Sequence, residues 1–414
     1  MNRRRTLPRQ PERLPRSAIP ATCSGMWSGR KLVPFWVLAF ACGGRERPPD
    51  AAAPLPPAAV ETAVASAPAS APPAAVTPPS RPDSRYIAAL KATLGAESAL
   101  SLDPALQVSV EDELLATGKS GAVIALDPND GSVRALFSVP GDRGDPMTAQ
   151  HHPASTFKTF AALAALTNET LAPDTVLTCK GSYDYAGARL TCPAKHGPQS
   201  VSRALAASCN AFFYEAATKI HPLKVADMAR SFGFGKRTGI ELPDEPGVVP
   251  DAPDKTKPAR PLVDAIGHGD YFVTLPQLAR AYAAIANGGK LYELHLVSGR
   301  KSSDGQITPA PRLAPESIAI PERALAAVQK GLAETVSAEY GRAHEFALEG
   351  YPFAGKTGGT NAPPRDGSGE EIDLWFVAYA PVDSPKLLVA ARLERVSGTK
   401  DAVKLVANVL RAQR

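Results

Sequence analysis

The sequence predicts an α/β fold of the α+β type: a five-stranded antiparallel sheet flanked by helices, with a helical lobe inserted between its second and third strands. Three observations carry this expectation. Two strand-like runs come early, Gly121 to Leu126 and Ser132 to Ser138, joined by the turn Asp127-Pro128-Asn129-Asp130-Gly131. Three more come late, Phe353 to Thr360, Leu374 to Ala380 and Leu387 to Glu394. Helical patterns fill the interval between the two groups.

Taken in order, Tyr86 to Leu94 and Asp103 to Leu115 read as helices leading into the first hairpin. Further helices are expected at 154–166, 201–218 with an interruption, 222–231, 275–286 and 321–336. Pro276 marks a helix start and Asn287-Gly288-Gly289 marks its end. The stretch after Pro153 is rich in Ala and Leu and free of Gly and Pro, so it is strongly helical. A last helix is expected at about 400–412.

The N-terminal region reads as addressing rather than fold. Residues 1–41 hold eight Arg and Lys against one Glu, so the rest of a chain of net charge +5 is close to −2. That removes the case for a nucleic-acid partner. Leu32 to Ala41 is an apolar run of signal-peptide length behind Arg30-Lys31, too short to span a bilayer comfortably. It ends in Ala41-Cys42-Gly43-Gly44, similar to a bacterial lipoprotein signal in which Cys42 becomes the lipidated first residue. Met26 is an alternative start that leaves an ordinary positive n-region. Residues 42–84 are Ala- and Pro-rich without periodicity, and are expected to form an extended tether. Residues 85–414 are expected to form one domain.

Three motifs carry the chemistry. In Pro153-Ala154-Ser155-Thr156-Phe157-Lys158, a helix would put Ser155 and Lys158 on one face at its first turn. A serine hydroxyl attacks a carbonyl only if a neighbour takes its proton, and a buried amine held neutral can do that. The spacing alone is weak, since it recurs at Ser28/Lys31, Ser298/Lys301 and Ser397/Lys400, none of which opens an apolar helix. The second motif, Ser208-Cys209-Asn210, supplies a hydroxyl that can relay a proton and an amide that can orient a substrate amide. The third, Lys356-Thr357-Gly358-Gly359-Thr360, puts a carboxylate-attracting Lys on a strand whose glycines admit a substrate backbone.

Taken in that order, Ser-x-x-Lys, Ser-x-Asn and Lys-Thr-Gly resemble the penicillin-binding proteins and serine β-lactamases. Phe232-Gly233-Phe234-Gly235, Ala265-Ile266-Gly267-His268-Gly269 and Trp375-Phe376-Val377-Ala378-Tyr379-Ala380-Pro381 look like the transpeptidase domain of elongation-type, monofunctional (class B) penicillin-binding proteins. The resemblance covers roughly residues 118–412. It implies an acyl-enzyme mechanism on peptidoglycan stem peptides ending in D-Ala-D-Ala, with β-lactam antibiotics acylating the same serine. Ser155 would be the nucleophile, Lys158 its base and Ser208 the proton relay. Asn210 would orient the stem amide, and Lys356 and Thr357 would hold the terminal carboxylate. Gly358 completes the strand motif, and the N–H groups of Ser155 and Gly359 would form the oxyanion hole. No cofactor is expected. Gly359 stands where the family carries Thr, with Thr360 one place late. The residues give no support for a glycan-polymerase partner, because a tether stands where these synthases carry a pedestal domain.

Cys179 and Cys192 bracket a Gly- and Tyr-containing loop, and in an exported chain a disulfide between them is expected. Zinc is the competing reading. Neither a Cys-x-x-Cys nor a paired His supports it, and His151, His152, His196 and His268 are scattered, so no metal is expected. The rival enzymes are a class D-like β-lactamase and a D,D-carboxypeptidase; a penicillin sensor is the non-catalytic rival. Asn210 in the second motif argues against the β-lactamase, which usually has Val there.

Overall fold

The computed structural model describes residues 85–254, 256–362 and 371–414. The expected leader, the expected lipidation site Cys42 and the expected tether lie outside these residues. The strands of the central sheet, numbered within it, are β1 (Gly121–Leu126), β2 (Val133–Val139), β3 (Ala354–Asn361), β4 (Ile372–Ala380) and β5 (Leu387–Val396). They lie in the order β3-β4-β5-β1-β2, each antiparallel to its neighbours. The expected sheet and the helical insertion between its second and third strands are both present.

Around it lie α1 (Arg85–Leu94), α2 (Pro104–Ala116), α3 (Lys158–Thr167), α4 (Val201–Ala206), α5 (Asn210–Ala217), α6 (Pro222–Ser231), α7 (Arg260–Ala265), α8 (Leu275–Ala286), α9 (Glu322–Ser337) and α10 (Asp401–Arg411). Side chains alternate across the strands with period two. Ile124, Trp375, Val377, Tyr379 and Ala390 point to one core, which α3, α5 and α8 complete. Val123, Phe376, Ala378, Val389 and Ala391 point to the other, under α2 and α10. A sheet covered on both faces has near-continuous apolar strands, as β4 and β5 do. Helix α8 is buried along its whole length and is started by a capping box in which Thr274 and Gln277 satisfy each other's backbone N–H.

The structure differs from expectation at the start of the inserted lobe's first helix, and it has the expected interruption in the second. Residues Ala154–Phe157 form a 3-10 turn, and the α-helix begins only at Lys158. Ala154 has φ 50°, a left-handed conformation that an α-helix does not admit. The interruption within 201–218 falls at the second motif, where Ser208 has φ 55°. The loop between Cys179 and Cys192 is a small hairpin, Ser182–Tyr185 paired with Ala188–Thr191. Beside it Leu177–Cys179 pairs with Gly197–Gln199. Where Asp373 pairs with Thr360 across β3 and β4, buried Arg392 pairs with Asp373 at 3.1 Å and with Glu394, while Arg143 clasps Asp373 through two bonds of 2.7 and 2.6 Å. No helix among the described residues is long and apolar enough to cross a membrane.

Candidate active site

The three motifs come together where edge strand β3 meets the turn before α3. Gly358 makes the approach possible: a Cβ there would lie 3.0 Å from Thr156 Cγ2 and 3.2 Å from the Pro153 carbonyl. The turn is held from behind by α8, where the Tyr282 hydroxyl donates to the Thr156 carbonyl at 2.8 Å and meets Thr159 Oγ1 at 2.7 Å. Below it, Ala154 N–H donates to Gly267 O at 3.0 Å. A 3-10 turn stacks residues i and i+3, so Ser155 and Lys158 share a face as expected, by a different geometry.

Lys158 is fully buried. Its Nζ donates to Ser208 O at 2.8 Å and Asn210 Oδ1 at 2.5 Å, and lies 3.3 Å from Ser208 Oγ. Lys356, also fully buried, donates to Ser208 Oγ at 3.0 Å and to Thr357 O at 3.1 Å. The Ser208 hydroxyl therefore bridges the two amines. Burial pushes Lys158 down from 10.5 to about 7, with the Arg342 charge adding to the shift and Cys209 and Cys192 opposing it. Burial, then the charges of Lys158 and Arg342, push Lys356 well below its ordinary value. Burial, more than the charge of Lys356, is thus what disfavours the Lys158 ammonium.

A cleft of about 390 Å³ opens over this cluster, lined by Ser155, Ser208, Asn210, Thr357, Gly358 and Gly359. Thr360 lines it too, with its hydroxyl turned to the Asn361 carbonyl at 3.4 Å. Arg342 and His268, to which the sequence reading gives no role in catalysis, line it as well. Arg342 is an isolated residue with no motif around it. His268 entered the sequence reading only within the resemblance and among the scattered histidines; burial pushes it down to about 4.

The expected Cys179–Cys192 bond is not formed: Cys179, Cys192 and Cys209 are free and buried. The physical reason is the company each sulfur keeps. Cys192 Sγ lies 3.9 Å from Cys209 Sγ and accepts the Asn210 N–H at 3.2 Å. His196 Nδ1 lies 3.6 Å from Cys179 Sγ and 3.5 Å from Cys192 Sγ. The four ligand atoms all lie within 4.8 Å of one another. This is a zinc-type donor set. The expectation of no metal rested on the absence of a local motif, and the fold collects these donors from four separate places. Cys209 had been read only as the middle of the second motif.

An antiparallel five-stranded sheet with a Ser-x-x-Lys turn against its edge strand is the architecture shared by penicillin-binding proteins and serine β-lactamases. Residues 121–413 match the family model of the penicillin binding protein transpeptidase domain, and the chain belongs to that family. It is 28% identical over 375 residues to the peptidoglycan D,D-transpeptidase MrdA of Haemophilus influenzae, covering 79% of this chain and 57% of that protein. Stage V sporulation protein D of Bacillus subtilis is 29% identical over 352 residues, with 77% and 53% covered. The crystal structure of penicillin-binding protein 3 of Mycobacterium tuberculosis complexed with aztreonam aligns with a TM-score of 0.66 at 25% identity, over 76% of this chain and 78% of that one. The chain spans about half the length of these two curated relatives.

Proposed function

We propose that this chain is a serine D,D-transpeptidase that cross-links peptidoglycan stem peptides and is acylated by β-lactams at Ser155. The observation that carries the proposal is a fully buried Lys158 held by Ser208 and Asn210, one 3-10 turn after the serine it would deprotonate. A neutral amine has two N–H groups and one lone pair. Ser208 O and Asn210 Oδ1 take the N–H groups, which leaves the lone pair for a proton from Ser155. Ser155 Oγ then bonds to the penultimate D-Ala carbonyl carbon, and the oxyanion rests on the N–H groups of Ser155 and Gly359. The proton passes from Lys158 through Ser208 to the nitrogen of the departing D-Ala, whose carboxylate Lys356 and Thr357 hold. An amine from a second stem attacks the ester, forms the cross-link and returns the proton to Ser155.

On the same reading the protein works at the cell envelope, exported by the leader and anchored at Cys42, with residues 85–414 as the catalytic domain. The MrdA relative bears the name of the same activity. Mass spectrometry after exposure to penicillin tests the core of the proposal. One penicilloyl group should appear on Ser155, none on Ser155→Ala, and Lys158→Arg should slow the reaction at least a thousandfold, because a guanidinium keeps its proton. Adduct elsewhere, or full-rate acylation of Lys158→Arg, overturns the mechanism. Rapid repeated hydrolysis of a chromogenic cephalosporin would make the protein a β-lactamase instead.

A further inference from the structure

We infer that Arg342 is a substrate-binding residue: its guanidinium supplies the positive charge that receives the free carboxylate of the acyl donor, whether the terminal carboxylate of a stem peptide or the ring carboxylate of a β-lactam. This role rests on the proposed acyl transfer for what the donor is; the carboxylate site itself can be read by binding alone.

The need for such a charge follows from Lys356. Its amine is fully buried and donates to Ser208 Oγ at 3.0 Å and to Thr357 O at 3.1 Å. A neutral amine has two N–H groups, and these two acceptors use both. Lys356 can turn an N–H to an incoming anion only by giving one of them up or by gaining a proton. Burial, and then the charges of Lys158 and Arg342, oppose that proton. The edge strand adds little. Gly359 carries no hydroxyl, and the Thr360 hydroxyl turns to the Asn361 carbonyl at 3.4 Å. On β3 the cleft retains the Thr357 hydroxyl, a neutral donor. A carboxylate seated on neutral donors loses hydration without meeting a counter-charge.

Arg342 meets that need by its position and its freedom. It lies in the turn after α9, and its backbone N–H donates at 3.2 Å to the carbonyl of Ala206, just ahead of the second motif. The turn is tight: a Cβ on Gly341 would lie 2.3 Å from the Glu334 carbonyl oxygen, and Ala343 is fully buried. The backbone is fixed on both sides, while the residue is exposed and lines the cleft. Its charge acts on both buried amines, which places it within electrostatic reach of the point where Lys356 meets Thr357. Among the described residues no carboxylate pairs with it, and none that line the cleft is an acid. Lys400, the other long cation on the lining, is taken by Glu345. A guanidinium keeps its proton and matches the two oxygens of a carboxylate with two N–H groups. Thr357 and Lys356 then orient the donor's carboxylate, and Arg342 answers its charge.

The test compares donors with and without a free carboxylate on the full chain. Arg342→Gln keeps polarity and loses the charge; Arg342→Lys keeps the charge. In the first arm, adduct formation on Ser155 is timed with penicillin and with its methyl ester. Arg342→Gln should slow the acid about tenfold more than the ester, and Arg342→Lys should recover most of that difference. The second arm uses Ser155→Ala, which binds donors without bonding to them. Dissociation constants are read by nuclear magnetic resonance for an N-acylated D-Ala-D-Ala peptide and for its C-terminal amide. Adding Arg342→Gln should weaken the acid about tenfold more than the amide. A selective loss in one arm alone names the donor that uses the site. Equal losses for acid and capped form in both arms mean that Arg342 acts only through the lysines, and overturn the inference, as does an acid unaffected by Arg342→Gln in both arms. Absence of adduct on wild-type Ser155 instead overturns the proposed function, and the binding arm still reads the carboxylate site.

Discussion

Lys158 sets the pH behaviour. A free lysine is neutral about once in a few thousand molecules at pH 7, whereas a group titrating at about 7 is neutral half the time. Acylation by penicillin should rise tenfold per pH unit below about 6 and level off above about 8, read as the pseudo-first-order rate of adduct formation. A rate flat from pH 5 to 9 would show that Lys158 is not the base. The same shift has a consequence for stability, with the sign that a depressed carboxylate has. The unfolded chain holds the Lys158 proton up to about 10.5 and the folded chain releases it at about 7. The unfolded state thus binds more protons between those values, and this residue makes stability increase with pH across that window. The pairing of Ser155 with Lys158 was legible from spacing and from the apolar run behind it. Arg342, which adds to the depression of both lysines, was not, because nothing in its neighbours says what it will face.

At the scale of elements, the nucleophile turn depends on a loop that the motifs do not include. Gly267 has φ 75°, and a Cβ there would lie 2.0 Å from the Ala154 carbonyl oxygen. Gly267→Ala should therefore cost about 3 kcal/mol, from backbone strain plus overpacking, and cut acylation at least a hundredfold by displacing Ser155. Gly118→Ala is the control: φ is 61° but nothing lies within 4 Å, so it carries the strain without the clash and should leave acylation unchanged. Urea unfolding and adduct rates measure both. Equal effects at the two positions would mean that the loop does not position the serine. The sequence showed helices and strands because Ala-rich runs and β-branched alternation are local signals. The interruption within 201–218 was expected, but left-handed Ala154, which makes the start of the first inserted helix a 3-10 turn, leaves no mark, since it is not a glycine. The ion network of Arg392, Asp373 and Glu394 was equally hidden, its members lying in strands that read as apolar.

At the scale of the whole chain, the proposed anchor and tether would let the domain act at a distance from its membrane. Some 40 extended residues at about 3.1 Å each reach roughly 120 Å at most. Labelled fatty acid should enter the wild type and not Cys42→Ala; label kept by the mutant would end the anchoring proposal. The folded part was legible because its composition differs from that of the Ala/Pro stretch before it. The sheet's strand order was open to topology rules only, and it has a kinetic side. Strand β5, near the C-terminus, pairs Leu388 with Leu126 and lies between β4 and β1. Until it arrives, one edge of β1 stays unpaired while more than two hundred residues of helical insertion emerge. Such non-local closure is slow, and a bare apolar edge invites pairing with other chains. A nascent chain of this topology therefore has a long vulnerable interval, and a holding chaperone that covers the β1–β2 hairpin would raise its yield more than one that acts on the helices.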